Sequence, residues 1–504
     1  MKEPKREPIR IFLINSHVWS SDSNSAMVGA LGEEPYPPIG LLSMAGYLRA
    51  CGYEVGLLDV PAILKKKRAD AEAQNATWVV SDAVVEEMVT RRVRDFQPNV
   101  VGISCLFSGK FRGTVYISKA VKKVAPNCPV VIGGLHPTVF AREALERLPS
   151  VDFVIIGEGE ESFRNLLLAI FENQMPLSDV DGLAFRDDES IRITAKTRYI
   201  NDLDRLPLPA YEMIDFDDYA IDNETWKTFW ENPKGYPLRY RMPLLTSRSC
   251  PMQCRFCAMH LVHGKKIRFR SVEHCLEEIE WLYHEFGVNY FSIIDDNFTL
   301  KKRRILDLAD GIVKQNIQMY LDAPSGISMH FFDHDILEAL KAIGMIRLFF
   351  AIESGSDYMR EQVMCKKLSR DKIYEGSELV RNEKDLLVRA FFVIGMPQET
   401  EETLMASWEM IKELHIDDVS IHFATPFPGT SLYDEVIKND LLVIPPQDAF
   451  FADEFQQSSE RPFIKPYHLD LDELIDFKQR VEDLFQHRRE EIGVMKNRSI
   501  KHLQ

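Results

Sequence analysis

Long apolar runs are missing from this sequence of 504 residues. No stretch reaches the roughly 18 consecutive apolar residues of a membrane span, and the charged start, MKEPKREPIRIFLINS, has no apolar core of the kind found in secretory signals. Basic residues are also in deficit, because 61 Lys and Arg face 77 Asp and Glu, which gives a net charge of −16. We therefore expect neither a transmembrane segment nor a nucleic-acid partner, which would require a basic surface.

Cysteine is scarce, with eight residues in the whole chain. Five of them stand singly, and a disulfide scaffold would be shorter and much richer in cysteine. We therefore expect a reduced, cytoplasmic protein. The other three, Cys250, Cys254 and Cys257, fall within the eleven residues SRSCPMQCRFC. This CxxxCxxC spacing is the pattern on which a functional hypothesis rests.

Apolar runs of strand length alternate with helical stretches in the first 170 residues. Five runs are typical of buried strands: IRIFLIN, YEVGLLDV, NVVGISCLF, CPVVIGGL and VDFVIIGEG. The alternation predicts an α/β domain over residues 1–170, a doubly wound, Rossmann-like parallel sheet with its ligand at the carboxyl ends of the strands. No G-x-G-x-x-G follows the first strand, which argues against a dinucleotide site.

A second series of strands and helices occupies residues 241–445. Six strand-like runs, LLTSR, NYFSIID, MYLDAPS, IRLFFAI, LVRAFFVIG and DVSIHFAT, predict a partial (β/α)6 barrel similar to a TIM barrel. The three cysteines follow the first run, at the face where barrels carry their chemistry. Residues 171–240 are predicted to be a linker with a hairpin, and residues 446–504 a helical extension. The aromatic-rich stretch 224–242 either lines a site or is packed linker.

The clustered cysteines predict a metal site, because thiolates are soft ligands that select zinc or iron–sulfur clusters. A zinc site would add His260 or His263 as its fourth ligand. A [4Fe–4S] cluster would take the three thiolates on three irons and leave the fourth iron open. The spacing alone leaves both alternatives open, so a zinc-stabilised, non-catalytic α/β binding protein stays the alternative from another class.

The motifs resemble those of the radical S-adenosylmethionine (SAM) superfamily, in the branch with an N-terminal cobalamin-binding (B12-binding) domain. Phe256 stands before the last cysteine, where the resemblance places it at SAM. IIDDNFTL, AIESGSD, VIGMPQET and ATPFPGTSLYD follow in order, and the first half carries PPIGLLSMAGYLRACGYEV, GGLHPT and GEGE. The resemblance covers about residues 9–445. It implies a [4Fe–4S] cluster, SAM and cobalamin as cofactors, and an external electron donor such as flavodoxin or ferredoxin.

The resemblance implies a cobalamin-dependent (class B) radical SAM methyltransferase. Such an enzyme moves a methyl group from SAM, through methylcobalamin, to an unactivated carbon of a substrate, here a small molecule or a lipid-like compound. In the implied mechanism the open iron chelates SAM, one electron cleaves the sulfur–C5′ bond, and the 5′-deoxyadenosyl radical abstracts hydrogen from the substrate. A cyclase or rearrangement enzyme of the same branch is the alternative, because it shares these motifs.

The superfamily pattern also implies which residues bind SAM. Asp296, at the end of the second barrel strand, is expected at the amino group, although it also suits the cap of the next helix. Glu353, at the end of an apolar strand, is expected to bind the ribose or the methionine part. Ile394 and Gly395 are expected at the adenine. Arg389 is assigned to the same site, where it pairs with Glu353 or forms an ordinary salt bridge.

Cobalamin domains of the family carry D-x-H-x-x-G, S-x-L and G-G after their first, third and fourth strands. This chain keeps the second and third motifs and has only NSHVWS, residues 15–20, in place of the first. On this pattern His17 is the candidate axial ligand of cobalt, but the Asp and Gly of the motif are missing, so a polar loop residue is the other interpretation. The residues implied in cobalamin binding are Asn15, Ser104, Leu106, Gly133, Gly134, His136, Thr138, Gly157 and Glu158.

Overall fold

The protein forms two compact units in the computed structural model, which describes residues 8–17, 36–74, 81–188, 190–221, 236–443 and 461–496. The first unit runs to Tyr219 and includes the later segment Leu261–Gly264. The second includes Ala220–His260 and the described residues from Lys265 onward. Most of the aromatic-rich stretch 224–242 lies outside the described residues, so its predicted role stays a prediction.

The first unit is built on a seven-stranded sheet with the order β2-β1-β3-β4-β5-β6-β7. Strands β1 to β5 are parallel. The chain adds β2 on one side of β1 and then continues with β3 on the other, so the winding reverses between β1 and β3. A ligand crevice is expected there, at the carboxyl ends of the strands. The doubly wound prediction is confirmed. The strands are β1 (Arg10–Asn15), β2 (Glu54–Asp59), β3 (Val100–Ser104), β4 (Val130–Gly133), β5 (Phe153–Ile155), β6 (Leu183–Asp187) and β7 (Ser190–Ile193).

Strands β6 and β7 form the hairpin that the polar turn in DGLAFRDDESIRIT indicates. They pair antiparallel with each other, and β6 pairs antiparallel with β5. The sequence places this hairpin in a linker, whereas in the structure it lengthens the first sheet. Leu183 and Phe185 are buried in the core of the unit, which explains why the hairpin stays on the sheet.

Helices cover both faces of this sheet. Phe12 and Ile14 of β1 pack in one core cluster, and Ile11 and Leu13 pack in another on the opposite face. Burial on both faces explains why these strands are continuous apolar runs rather than alternating ones. The helices are α1 (Ile39–Ala50), α2 (Val60–Ala73), α3 (Asp82–Phe96), α4 (Phe111–Val124), α5 (Leu135–Val139), α6 (Ala141–Arg147) and α7 (Glu160–Ile170).

The second unit is built on a six-stranded parallel sheet whose order, β15-β14-β13-β12-β11-β8, follows the chain. This is the predicted partial (β/α)6 barrel. In β13 the side chains of Leu348, Phe350 and Ile352 are fully buried, while Arg347 and Ala351 between them keep some exposure. We call the face that carries the second set the inner face. The strands are β8 (Arg241–Leu244), β11 (Tyr290–Ile293), β12 (Tyr320–Asp322), β13 (Met345–Glu353), β14 (Leu387–Ile394) and β15 (Asp418–Phe423).

Two short strands, β9 (Ser247–Arg248) and β10 (Arg268–Phe269), pair antiparallel beside this sheet. Helices alternate with the strands of this sheet, as the second series of strands and helices predicts, and a long helix lies in the predicted helical extension near the end of the chain. No helix among the described residues is both long and apolar enough to cross a membrane. The helices are α8 (Met259–His263), α9 (Val272–Phe286), α10 (Lys302–Lys314), α11 (His334–Ala342), α12 (Arg370–Leu379), α13 (Glu401–Glu413), α14 (Ser431–Lys438) and α15 (Leu471–Lys496).

Candidate cluster and cofactor sites

The three cysteines lie on the loop between β9 and α8. Ser249, directly before Cys250, has a φ of 76°, a left-handed conformation that turns the chain into the loop. The backbone N–H of Cys257 donates to the carbonyl of Cys254 at 3.1 Å, so these two residues close one tight turn. All three thiols are free and partly exposed. The loop therefore presents three sulfur ligands within eight residues.

Asp295 fixes the segment that enters this loop. Its carboxylate is 1% exposed and accepts hydrogen bonds from Thr246 N at 2.6 Å, Thr246 Oγ1 at 2.5 Å and Ser247 Oγ at 2.6 Å. Arg304 donates to the Thr246 carbonyl at 3.0 Å. Burial raises the pKa of Asp295, and the hydrogen bonds oppose that rise. The backbone is thus held firmly just before Cys250.

The thiols themselves suit a site that binds a cation. Burial raises the pKa of Cys257, and it raises that of Cys254 to about 12, so deprotonation here requires a nearby cation such as iron. In the part of the chain that the structure describes, no three His, Cys, Asp or Glu side chains converge as ligands of one ion. A [4Fe–4S] cluster does not need that convergence, because each thiolate binds a different iron.

Both histidines of the zinc alternative have other partners. His260 Nδ1 lies 3.0 Å from the carbonyl oxygen of Cys257. His263 belongs to the first unit, where its Nδ1 lies 3.1 Å from Glu158 Oε1. The donor set at the loop is therefore three thiols with an open fourth position, which is what a cluster that binds a substrate-like ligand requires.

Three polar residues lie beside the cysteines. The negative charges of Asp296 and Glu353 both contribute to the raised pKa of Cys257, after the larger effect of burial. Asn297 Nδ2 is 3.5 Å from the sulfur of Cys250. Asn297 Oδ1 is buried and has no hydrogen-bond partner among the described residues. Such an atom is costly to bury, and an incoming donor would satisfy it.

Glu353 is strained as well as buried. Its φ is 74°, at a register shift between β13 and β14, and a non-glycine residue in such a conformation costs roughly 1–3 kcal/mol. Lys366 Nζ donates to Glu353 Oε1 at 2.6 Å. Of the two alternatives for Arg389, a pair with Glu353 or an ordinary salt bridge, the structure has the second. Arg389 pairs with Asp418, its register partner on β15, because the two occupy adjacent strands at the same level.

The end of β14 carries the two residues expected at the adenine. Gly395 has a φ of 81°, and a Cβ there would lie 3.1 Å from Leu474, so the turn requires glycine. Ile394 is 1% exposed, on the buried face of β14, so its side chain packs in the core rather than lying open for adenine to stack on. Phe256 is partly buried and packs on a neighbouring apolar cluster that includes Leu432.

The implied cobalamin residues collect at the carboxyl ends of the strands in the first unit. Ser104 is the register partner of both Asn15 and Gly133, so the three lie side by side. Leu106, just after β3, is 56% exposed. A Cβ on Gly133 would meet nothing closer than 3.8 Å, whereas one on Gly134 would lie 2.4 Å from a backbone carbonyl. An exposed leucine beside an open glycine edge leaves room for a large flat ligand.

The side chain of Asn15 is part of a polar network at this edge. Its Nδ2 donates to Asp59 Oδ1 at 2.8 Å, and its Oδ1 accepts from Lys110 Nζ at 2.9 Å. Tyr219 donates its hydroxyl to the other oxygen of Asp59 at 2.5 Å. The network ties β1 to β2 and to the start of α4. Sequence reasoning missed Asp59, Lys110 and Tyr219, which no single motif marks.

The two histidines singled out in this unit are both buried. Burial lowers the pKa of His17 to about 4 and that of His136 to about 3, so both rings are neutral at pH 7. His136 packs between the rings of Phe111 and Phe140, with centroids 4.6 and 4.9 Å away. It is a core histidine, so its ring is not presented to a ligand. His17 packs against Gly113 of α4.

The loops after β4 and β5 are tied to each other. The N–H of Gly157 donates to Thr138 Oγ1 at 2.9 Å. Glu158 is buried and accepts from the N–H of Ile200 at 3.3 Å and contacts His263. Gly157, Thr138 and Glu158 shape the crevice. The backbone of Gly157 and the side chains of Thr138 and Glu158 all make hydrogen bonds within the first unit.

Comparison with known families assigns the class. The B12 binding domain model matches residues 26–167, and the Radical SAM superfamily model matches residues 244–430. The chain therefore belongs to the radical SAM superfamily and carries an N-terminal B12-binding domain. The match also favours the iron–sulfur cluster over zinc at the three cysteines.

Relatives of this chain include two proteins named as methyltransferases and one named as a cyclase. An uncharacterized methyltransferase of Pyrococcus horikoshii is 29% identical over 83% of this chain and 81% of its own length. Cytidylyl-2-hydroxyethylphosphonate methyltransferase of Streptomyces wedmorensis is 27% identical over the same shares. Anaerobic magnesium-protoporphyrin IX monomethyl ester cyclase of Cereibacter sphaeroides is 26% identical over 79% of this chain and 61% of its own length.

A solved structure has a similar fold. The radical SAM methyltransferase TsrM from Kitasatospora setae, with cobalamin and a [4Fe–4S] cluster bound, has a TM-score of 0.63 and 17% sequence identity. The alignment covers 86% of this chain and 78% of that chain. That likeness shows the fold of this chain.

Proposed function

We propose that this protein is a cobalamin-dependent radical SAM methyltransferase that methylates an unactivated carbon of a small-molecule or lipid-like substrate. The observation that carries the proposal is the three-thiol loop with its open fourth position, set beside the buried, unpartnered Asn297 Oδ1. The B12-binding domain adds the methyl carrier, and two named relatives are methyltransferases.

The candidate site residues of the second unit have the following roles in this proposal. Cys250, Cys254 and Cys257 hold the cluster, which when bound supplies the electron that cleaves SAM. Asn297 Oδ1 accepts a hydrogen bond from the amino group of SAM, because it is the buried acceptor that still needs a donor. Glu353, fixed by Lys366, offers its second oxygen to the ribose or the methionine part. Asp296 and Phe256 remain assigned to SAM, as does the backbone at Gly395.

The residues of the first unit bind and orient cobalamin, and they take no part in the reaction themselves. The glycine edge at Gly133 and Gly134 and the exposed Leu106 receive the corrin, which when bound carries the methyl group. His17 is not proposed as a cobalt ligand, because its ring is buried and packs against Gly113 of α4. An external donor such as flavodoxin or ferredoxin supplies electrons. The eight free thiols support a reducing compartment, the cytoplasm.

A cyclase is the second candidate function, because the Cereibacter sphaeroides cyclase is about as similar to this chain as the named methyltransferases are. The two candidates differ in the fate of the SAM methyl group. With SAM labelled in that methyl group, a methyltransferase moves the label to its cobalamin and product, whereas a cyclase leaves it in methionine.

The first test is metal analysis of protein purified without oxygen from cells supplied with cobalamin. We expect about four irons per chain and bound cobalt. Iron should be lost when all three loop cysteines become Ala and kept in the matched control Cys51→Ala, which changes an exposed thiol in the other unit. Zinc at one atom per chain, without iron or cobalt even after anaerobic reconstitution, would overturn the proposal.

A further inference from the structure

The inner face of β13, β14 and β15 is a continuous surface of aromatic and polar side chains. Phe349 and Phe391 stack with ring centroids 5.6 Å apart, and Phe391 meets His422 edge to face at 6.1 Å. The guanidinium carbon of Arg389 lies 5.9 Å from the centroid of Phe349. Because each of these residues alternates with a buried neighbour on its strand, all project from the same face.

Polar groups on this face keep hydrogen-bonding capacity. Arg389 is 26% exposed and makes a single hydrogen bond among the described residues, to Asp418, while its Nε is buried and lacks a partner there. The hydroxyl of Ser420 and the ring of His422 also make no hydrogen bond with any described residue. His422 is solvent-exposed, yet desolvation lowers its pKa, as expected for a ring lining a recess.

The other arginines on this face, Arg241 and Arg347, both bind the carboxylate of Asp322. Asp322 is fully buried, and one of its oxygens accepts from Arg241 at 2.8 Å, from Tyr290 at 2.7 Å and from Arg347 at 3.1 Å. These cations and this carboxylate form a structural network. Arg389 differs from these two arginines, because one of its nitrogens binds Asp418 and its Nε has no partner among the described residues.

We propose that the substrate is an acid with an apolar body, and that Arg389 and Ser420 bind its oxyanion group. The body lies along the partly exposed ring of Phe391, which stacks on the buried Phe349, toward the level of Glu353. Arg389 lies three residues before Phe392, the register partner of Glu353, so the oxyanion lies roughly 10 Å along the strands from that level at about 3.3 Å per residue. This assigns Arg389 to the substrate rather than to SAM.

The inference rests on the proposed function for the role of the bound acid as substrate. A guanidinium with free N–H groups beside an aromatic face is the donor that carboxylates and phosphoryl groups prefer. Both acid types share this chemistry, so the test contains both. The uncharged amide of the same body distinguishes charge recognition from apolar burial.

Ligand-observed NMR of the cluster-loaded, cobalamin-bound chain measures the binding of phenylbutyrate, its amide and phenylpropylphosphonate. The variant is the double change Arg389→Met with Asp418→Asn, because Arg389→Met alone would leave a buried carboxylate without its cation. The matched control is Arg381→Met, which removes an exposed arginine paired with Glu378.

We expect at least one acid to bind the unchanged chain at least tenfold more tightly than the amide, and the double variant to lose that preference while Arg381→Met keeps it. The acid that binds more tightly then indicates whether the site prefers a carboxylate or a phosphonate group. Equal binding of acid and amide, an undiminished preference in the double variant, or no binding of either acid would overturn the inference. A chain that holds iron and cobalt but fails here leaves the proposed function intact.

Discussion

A buried glutamate gives the sharpest prediction of stability. Glu399 follows β14 and is 1% exposed. It accepts from Thr403 Oγ1 at 2.5 Å and from the N–H of Gly395 at 3.3 Å, and no described cation lies against it. Desolvation outweighs these hydrogen bonds and raises the pKa of Glu399 to about 7, from the model-compound value of 4.5. Glu399 is therefore largely protonated in the folded protein below neutral pH.

The sign of the pH effect follows from the direction of this shift. Because the folded state holds the proton more tightly than the unfolded state, the contribution is fully present below pH 4.5 and is lost as the pH rises through about 7. The rise in the pKa of Glu399 to about 7 corresponds to about 3 kcal/mol. Glu399→Gln keeps the shape and the acceptor without a titrating proton. We expect Glu399→Gln to match the unchanged chain near pH 4.5 and to exceed its stability by about 3 kcal/mol above pH 7.

The assay is urea unfolding of the two chains in parallel at several values between pH 5 and pH 8, in the same metal-loaded state. The informative quantity is the difference in unfolding free energy at each pH, because other titrating groups cancel. Glu409→Gln, an exposed glutamate paired with Lys412 on α13, is the control and should show no such trend. A difference independent of pH, or one that shrinks as the pH rises, would refute the reasoning.

Two further predictions concern the loops that carry the cofactor sites. Asp295→Ala leaves three buried donors without an acceptor, which should lower the free energy of unfolding by about 3 kcal/mol or more. The iron that the protein retains through gel filtration should fall in Asp295→Ala and fall less in Asp295→Asn. Equal iron loss in both variants would contradict the positioning role of Asp295. Gly134→Ala puts a Cβ 2.4 Å from the Cys105 carbonyl at a φ of 123°, so the melting temperature and bound cobalamin should both drop, whereas Gly133→Ala, with open space, should keep the melting temperature.

The sheets could be predicted because their signal is local and strong. Burial on both faces makes each parallel strand a continuous apolar run, and turn residues bound each run. The first barrel strand was misplaced by three residues: the run LLTSR mixes the end of Arg241–Leu244 with the separate pair Ser247–Arg248. The bend between them has no apolar break, so composition alone does not reveal it.

The partners of charged side chains could not be predicted, because they depend on register between distant strands. Glu353 and Arg389 both end on one sheet, which made their pairing plausible from alternation. The register instead sets Arg389 against Asp418, and a left-handed turn directs Glu353 to Lys366. Neither the register nor the turn is written in the local sequence. The core position of His136 has the same origin, because only the tertiary packing brings two phenylalanine rings around it.

Adjacent carboxylates at the end of β11 show how the fold divides one motif into two roles. The sequence IIDDNFTL gives no reason to separate Asp295 from Asp296. In the structure Asp295 is fully buried and fastens the backbone before the cysteine loop, while Asp296 is partly exposed and acts on Cys257 by its charge. Side chains that follow each other along an extended chain point to opposite faces. One carboxylate therefore holds the loop in place through hydrogen bonds, while its neighbour keeps its charge near the cysteines.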